Sequence, residues 1–318
     1  MTDHRFATFI GFDVSGNTIA VFNGSNGQTG EIANTAAAIE AYAATLDAGC
    51  YCICENTGGH EAVLLSVLYA RNIPVHRADA AKVKAFVQSF GTRGKTDALD
   101  ARALAAYGRE RHAGLTLWRL EDRNVMTLRQ LVLRREELVT MRTAEKNRLK
   151  APCTKQTPWL QETITVVLEA LQTQISSLEA RIAALLKDSE HLKQAQRILL
   201  SVPGIGKTLA PVILASLPEL GTLSRRQVAS LAGVAPHPKD SGKSKGYRRM
   251  NGGRPLIKRA LFIAALTAAR NKKSSLGAYY NRLIQNGKKP IKAIGALMRK
   301  IIVVLNAKMR DHYAQQLS

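Results

Sequence analysis

Two short apolar runs, Thr8–Asp13 (TFIGFD) and Tyr51–Glu55 (YCICE), each end in an acid, and a third stretch, Lys95–Ala105 (KTDALDARALA), opens with two more. Runs this short, bounded by turn-forming residues, have the length of β-strands. The third stretch has helical periodicity, so Asp97 and Asp100, three residues apart, share a face about one turn apart. Like charges held that close repel unless a cation sits between them. Acids at the ends of strands and at the start of a helix can meet at one edge of a sheet, however far apart they stand in sequence.

The intervening elements fit such a sheet. Ser15-Gly16-Asn17 is a turn leading into a second apolar run, Thr18–Phe22, and a short third strand is expected near Glu31–Ile32. Asn34 is placed to cap a helix over Thr35–Leu46. The strand Tyr51–Glu55 precedes a helix from about Glu61 to Arg71, a strand at Pro74–His76, a helix over Ala78–Phe90 and a glycine-containing loop at 91–94. The resulting order, βββαβαβα, resembles that of the ribonuclease H/RuvC nuclease fold. Oxygen-only ligands from Asp13, Glu55, Asp97 and Asp100 suit Mg²⁺ or Mn²⁺. Taken singly, each acid also has a plainer reading, Asp13 as a turn former and Asp97 as a helix N-cap.

The 318 residues fit two or three units and carry a formal charge of +22, a balance that favours a polyanionic partner. No apolar run reaches membrane-spanning length, and the N-terminus lacks the basic-then-apolar order of a signal peptide, so nucleic acid is expected rather than a membrane. Cys50, Cys52 and Cys54 alternate along one strand and read as small buried residues; with Cys153 they lack the spacing of a zinc site. Free thiols fit a cytoplasmic, nucleoid-associated protein.

From about Leu120 to Lys193, apolar residues recur at spacings of three, four and seven, interrupted at 151–158 by Pro152 and Pro158. This predicts an antiparallel helical pair or a coiled coil, with self-association as its role. Residues 201–208 (SVPGIGKT) lack the first glycine of a nucleotide-binding P-loop and read instead as a turn between helices. Gly204, Gly206 and Lys207 there are candidates for a DNA-backbone contact. Between Asp240 and Asp311 there is no Asp or Glu. Lys243, Lys245, Arg248, Arg249, Arg254, Lys258 and Arg259 make this stretch a nucleic-acid-binding candidate, as do Arg93 and Lys95 beside Asp97. Ser241, between glycine and lysines, either contacts phosphate or attacks it; the residues alone favour contact.

The chain resembles the DEDD transposases of the insertion sequence one-ten family, relatives of the Piv-type DNA invertases. The resemblance rests on Asp13 in GFDVSGNTIAV, Glu55 in ENTGGHE, Asp97 and Asp100 in KTDALDARALA, PGIG at 203–206, LAGVAP at 231–236, SGKSKG from Ser241 and NGGRPLIKRALFIAA from Asn251. Gly-Gly-His after ENT, where a tyrosine is usual, departs from the pattern without touching an acid. The resemblance implies an RNase H/RuvC-like catalytic domain over 1–115, a helical coiled-coil oligomerisation region over 116–195, and a mainly α-helical transposase domain over 196–318. It implies a Mg²⁺-binding carboxylate tetrad and Ser241 as a nucleophile linked covalently to DNA. Its implied partners are donor and target DNA, a structured bridge RNA and further copies of the chain, as a dimer or tetramer. A guide-free invertase, a RuvC-like nuclease using water, and a non-catalytic packaging protein are the competing expectations.

Overall fold

The computed structural model describes residues 6–90, 96–238, 246 and 248–317. These form two compact units, divided between Leu120 and Glu121.

The first unit is built on a five-stranded sheet: β1 (Thr8–Val14), β2 (Thr18–Asn23), β3 (Thr29–Ala33), β4 (Cys50–Glu55) and β5 (Val75–Ala78), in the spatial order β3-β2-β1-β4-β5. The first three strands pair antiparallel through tight connections, whereas β4 lies parallel to β1 and β5 parallel to β4. Parallel neighbours need a crossover, supplied by α1 (Ala36–Ala43) before β4 and α2 (Ala62–Ala70) before β5. The helix α3 (Ala80–Ser89) and the longer α4 (Asp97–Arg111) follow.

Strand alternation sorts the side chains onto two faces. Ile10, Phe12, Cys52 and Cys54 pack with Ile39 of α1 and Leu64, Leu65 and Leu68 of α2. Phe9, Tyr51 and Ile53 point the other way, against Val83 and Phe86 of α3 and Leu104 and Tyr107 of α4. Cys50, Cys52 and Cys54 are all buried on the first face, and burial raises their thiol pKa values. The expected cap Asn34 does not cap α1. Thr35 does, accepting from the Ala38 amide, while the Asn34 amide group is spent on the carbonyls of Ser15 and His60.

The second unit is almost entirely helical: α5 (Arg123–Leu149), α6 (Pro152–Lys155), α7 (Pro158–Asp188), α8 (Glu190–Leu200), α9 (Leu209–Ser216), α10 (Arg225–Leu231), α11 (Pro255–Arg270), α12 (Ser275–Gln285) and α13 (Pro290–Leu317). A two-stranded ribbon, β6 (Pro236–His237) and β7 (Arg249–Met250), is inserted before α11. The expected break in the central helices contains the short α6. The two long arms are antiparallel: Arg135 of α5 bonds Glu179 of α7, and Arg142 bonds Gln172. Leu128 and Val132 of α5, with Ile182 and Leu186 of α7, share one core with α8–α13. Val167 of α7 and Met141 of α5 are exposed, and so is Ile263 on α11. Among the described residues, no helix is long and apolar enough to cross a membrane.

Candidate active site

The close lie of α4 on the sheet is a matter of two glycines. A Cβ at Gly11 of β1 would run into the carbonyl oxygen of Ala101, and one at Gly108 would run into the Ile53 side chain. Phe9 is the next neighbour at Gly108. Going from Phe9 to Gly11 along β1 is therefore going from Gly108 back to Ala101 along α4, so helix and strand run in opposite directions. Two residues beyond Gly11 on the same face is Asp13, and just before Ala101 are Asp97 and Asp100 in the first turn of α4. The helix begins there because the Thr96 hydroxyl accepts from the Leu99 amide. Thr96 takes the capping position and leaves the Asp97 carboxylate outside that role.

Glu55 joins them through the sheet register. Phe12 pairs with Cys54 on the face of α1 and α2, so the next rung puts Asp13 and Glu55 on the α4 face of adjacent parallel strands. All four carboxylates thus belong to one end of one face. Among the described residues, however, no three His, Cys, Asp or Glu side chains are close enough together to hold an ion. The donor set, oxygen ligands only, is of the kind a hard divalent cation takes.

The sequence reading passed over Glu61, which is buried with only 2% of its surface exposed. Burial pushes its pKa up, but hydrogen bonds from its own amide, from the Thr57 hydroxyl and from the Gly59 and Thr57 amides outweigh that, and the net shift is downward. Its only signal in sequence is a second acid in ENTGGHE, where Glu55 already draws the eye.

Three of the basic candidates bond within the helical unit. Arg254 makes a two-pronged pair with Glu219, both bonds 2.7 Å, and donates to the Ser216 carbonyl. Lys258 donates to the Met250 carbonyl, and Arg259 pairs with Glu136 of α5. These three hold the helical unit together. Arg259 is exposed, as are Lys207, Arg248 and Arg249. Gly204 has φ +92° and sits against the Ala264 carbonyl, so packing on α11 requires it, while the Gly206 carbonyl accepts the Leu209 and Ala210 amides that open α9. Arg93, Lys95, Ser241, Lys243 and Lys245 lie outside the described residues.

The Arg254 pair carries a testable pH signature. Burial raises the Glu219 pKa, but the hydrogen bonds and charge of Arg254 outweigh it and the carboxyl sits below its ordinary value. A depressed carboxyl stabilises the fold fully above its unfolded pKa, about 4.3, and loses that contribution as pH falls through the folded value. Arg254→Ala is expected to cost about 1–2 kcal/mol at neutral pH, at the low end for a charge-assisted pair because both partners are about a third exposed. The gap between the urea midpoints of wild type and variant should narrow as pH falls below the ordinary carboxylate range.

Comparison with known proteins gives two matches to family models along the chain. A model described as "Transposase" covers residues 10–157, and one described as "Transposase IS116/IS110/IS902 family" covers residues 196–281. The pilin gene-inverting proteins of Moraxella bovis and Moraxella lacunata are each 27% identical to the chain over 263 residues, 82% of it and 80% of each relative. An insertion element IS900 uncharacterized 42 kDa protein of Mycobacterium paratuberculosis is 35% identical over 147 residues, 45% of this chain and 35% of that protein.

Proposed function

Since the chain belongs to the IS110 family of transposases and is a DNA recombinase/transposase enzyme, we propose that it cuts and rejoins DNA with Asp13, Glu55, Asp97 and Asp100 holding Mg²⁺ or Mn²⁺ and with Ser241 as the nucleophile. The observation that carries this reading is the antiparallel lie of α4 on β1, which delivers the acids of α4 to the strand ends that bear Asp13 and Glu55. The strand order β3-β2-β1-β4-β5, three antiparallel strands followed by two parallel ones, supports an RNase H/RuvC-like fold for the first unit.

In this mechanism the Ser241 hydroxyl attacks a DNA phosphorus. A serine–phosphate ester forms, and the bond to one deoxyribose oxygen breaks; that oxygen leaves as a hydroxyl, taking up a proton. A hydroxyl from a second strand then attacks the ester, restoring a phosphodiester and freeing the serine. A bound divalent ion would supply charge stabilisation at the phosphate oxygens. The four carboxylates provide only oxygen ligands, the chemistry such an ion prefers. Exposed Lys207, Arg248 and Arg249 hold nucleic-acid backbone.

The basic stretch between Asp240 and Asp311, free of Asp and Glu, suits a large polyanionic load, which supports a bridge RNA held beside donor and target DNA. Choice of sequence then lies in base pairing. Trp159, Val166 and Val167 of α7 and Met141 of α5 are exposed on the long helical pair and support self-association there as a coiled coil. A second reading, a DNA invertase needing no guide, is favoured by the pilin gene-inverting relatives, which match most of the chain.

The test is to purify the protein with its bound nucleic acid, add matching DNA and Mg²⁺, and look for protein-linked DNA on a denaturing gel. Wild type should give an adduct and Ser241→Ala none. Cleaved ends without an adduct, unchanged in Ser241→Ala, would leave a water-using nuclease. Ribonuclease treatment beforehand should abolish the adduct if RNA guides the reaction and spare it in a guide-free invertase.

A further inference from the structure

A carboxylate as buried as Glu61 persists only where its charge is compensated. One oxygen, Oε2, accepts from the Thr57 hydroxyl at 2.9 Å, the Gly59 amide at 2.9 Å and the Thr57 amide at 3.3 Å. The other, Oε1, accepts from the Arg77 guanidinium at 3.5 Å. Every partner stands beside Glu55. Thr57 and Gly59 form the turn that leaves it, with Gly58 and Gly59 at φ +77° and +118°, and Arg77 of β5 pairs with Cys54 of β4, one rung before Glu55. The first residue of that turn, Asn56, donates its amide to the Ala78 carbonyl at 3.1 Å and so stays in the sheet.

The same turn is tied to the other acidic strand by one side chain. The Asn34 amide nitrogen donates to the His60 carbonyl at 3.1 Å and to the Ser15 carbonyl at 2.9 Å. His60 immediately precedes Glu61, and Ser15 is two residues beyond Asp13. A continuous set of hydrogen bonds therefore runs from the turn after Asp13, through Asn34, to the turn after Glu55, and on through Glu61 to β5.

We propose that Glu61 and Asn34 are positioning residues, a clasp that fixes the separation of the β1 and β4 ends and thereby the spacing of Asp13 and Glu55. Glu61 is not itself a ligand, since both of its oxygens are already engaged by protein donors. The inference rests on the reading of Asp13 and Glu55 as metal-holding. A group that fixes a ligand without touching the ion is typically worth about 10- to 100-fold in metal affinity.

The experiment measures Mn²⁺ binding to the full-length protein without DNA, by electron paramagnetic resonance of the free ion, alongside thermal melting. Wild type is compared with Asp13→Asn, Glu61→Gln and Asn34→Ala. Glu61→Gln keeps the shape and one acceptor, and Asn34→Ala removes the bridge between the turns without disturbing a buried charge. The expected result is Mn²⁺ binding lost in Asp13→Asn and weakened about tenfold or more in the other two, at temperatures where all are folded. The Mg²⁺ needed for half-maximal strand cleavage should rise in parallel, with metal-free DNA affinity unchanged. A purely structural role would lower the melting temperature but leave Mn²⁺ affinity of the folded protein as in wild type, and would overturn the proposal. If Asp13→Asn binds Mn²⁺ like wild type, the metal-site reading itself fails and the clasp falls with it. If Glu61→Gln does not fold, Asn34→Ala decides alone.

Discussion

Asp13→Asn is expected to lower Mg²⁺-dependent DNA strand cleavage by roughly a thousandfold or more, the scale of losing a principal electrostatic group in a catalytic site, with melting unchanged to within a few degrees. The substitution preserves volume and removes one negative charge. Asp13 lies on the central strand of the sheet, on the face that α4 covers, at the end where Asp97 and Asp100 begin that helix. Asp100→Asn should behave in the same way, because the proposed site treats the two residues as ligands of one centre. Cleavage is read as product formed per unit time on labelled DNA at saturating Mg²⁺. A cleavage rate close to wild type in Asp13→Asn would sink the tetrad, and loss of cleavage together with the variant's own folding signal would point to a structural role instead.

Gly11→Ala should unfold or severely loosen the first unit. The added methyl would collide with the backbone carbonyl of Ala101 and stand 2.7 Å from the Ala105 amide nitrogen. Neither group is the end of a flexible side chain, so α4 as a whole must move. Overpacking of this kind costs about 3 kcal/mol or more when backbone has to yield, a drop of roughly 10 °C or more in the melting temperature of a unit this size. Gly30→Ala, on β3, is the control: its Cβ meets nothing and its backbone needs no left-handed conformation, so its melting should match wild type. Since α4 carries Asp97 and Asp100, a folded Gly11→Ala protein should still lose cleavage, through displacement of the helix and not through any change in a ligand.

The two acidic strands were legible in sequence because short alternating runs between turn formers leave few alternatives, and the order of elements followed from their lengths. What the sequence lacked was the arrangement of those elements in space. That β4 joins β1 in parallel, on the side away from β2, is a property of the crossovers, and it alone makes Asp13 and Glu55 neighbours. The direction of α4 was equally hidden: Gly11 and Gly108 gain their meaning only when each is found against the other element. Glu61 and Asn34 were missed or misassigned because both act through backbone groups of distant turns, which no local pattern records. Arg254 and Arg259 carry no local mark in a basic run. The partner of Arg254, Glu219, stands 35 residues upstream, and that of Arg259, Glu136, is 123 residues away.

The α5–α7 hairpin fixes how such a protein can vary in size. A step of seven residues along α5, from Arg135 to Arg142, is answered by seven residues back along α7, from Glu179 to Gln172. Taking a block of seven from one arm alone would shift the cross-pairs on the far side of the cut out of register. Taking matched blocks from both would let the cut ends meet the same facing residues as before. Because a helix rises about 1.5 Å per residue, the reach of this arm changes in increments of about 10 Å, and intermediate lengths require repacking the whole seam.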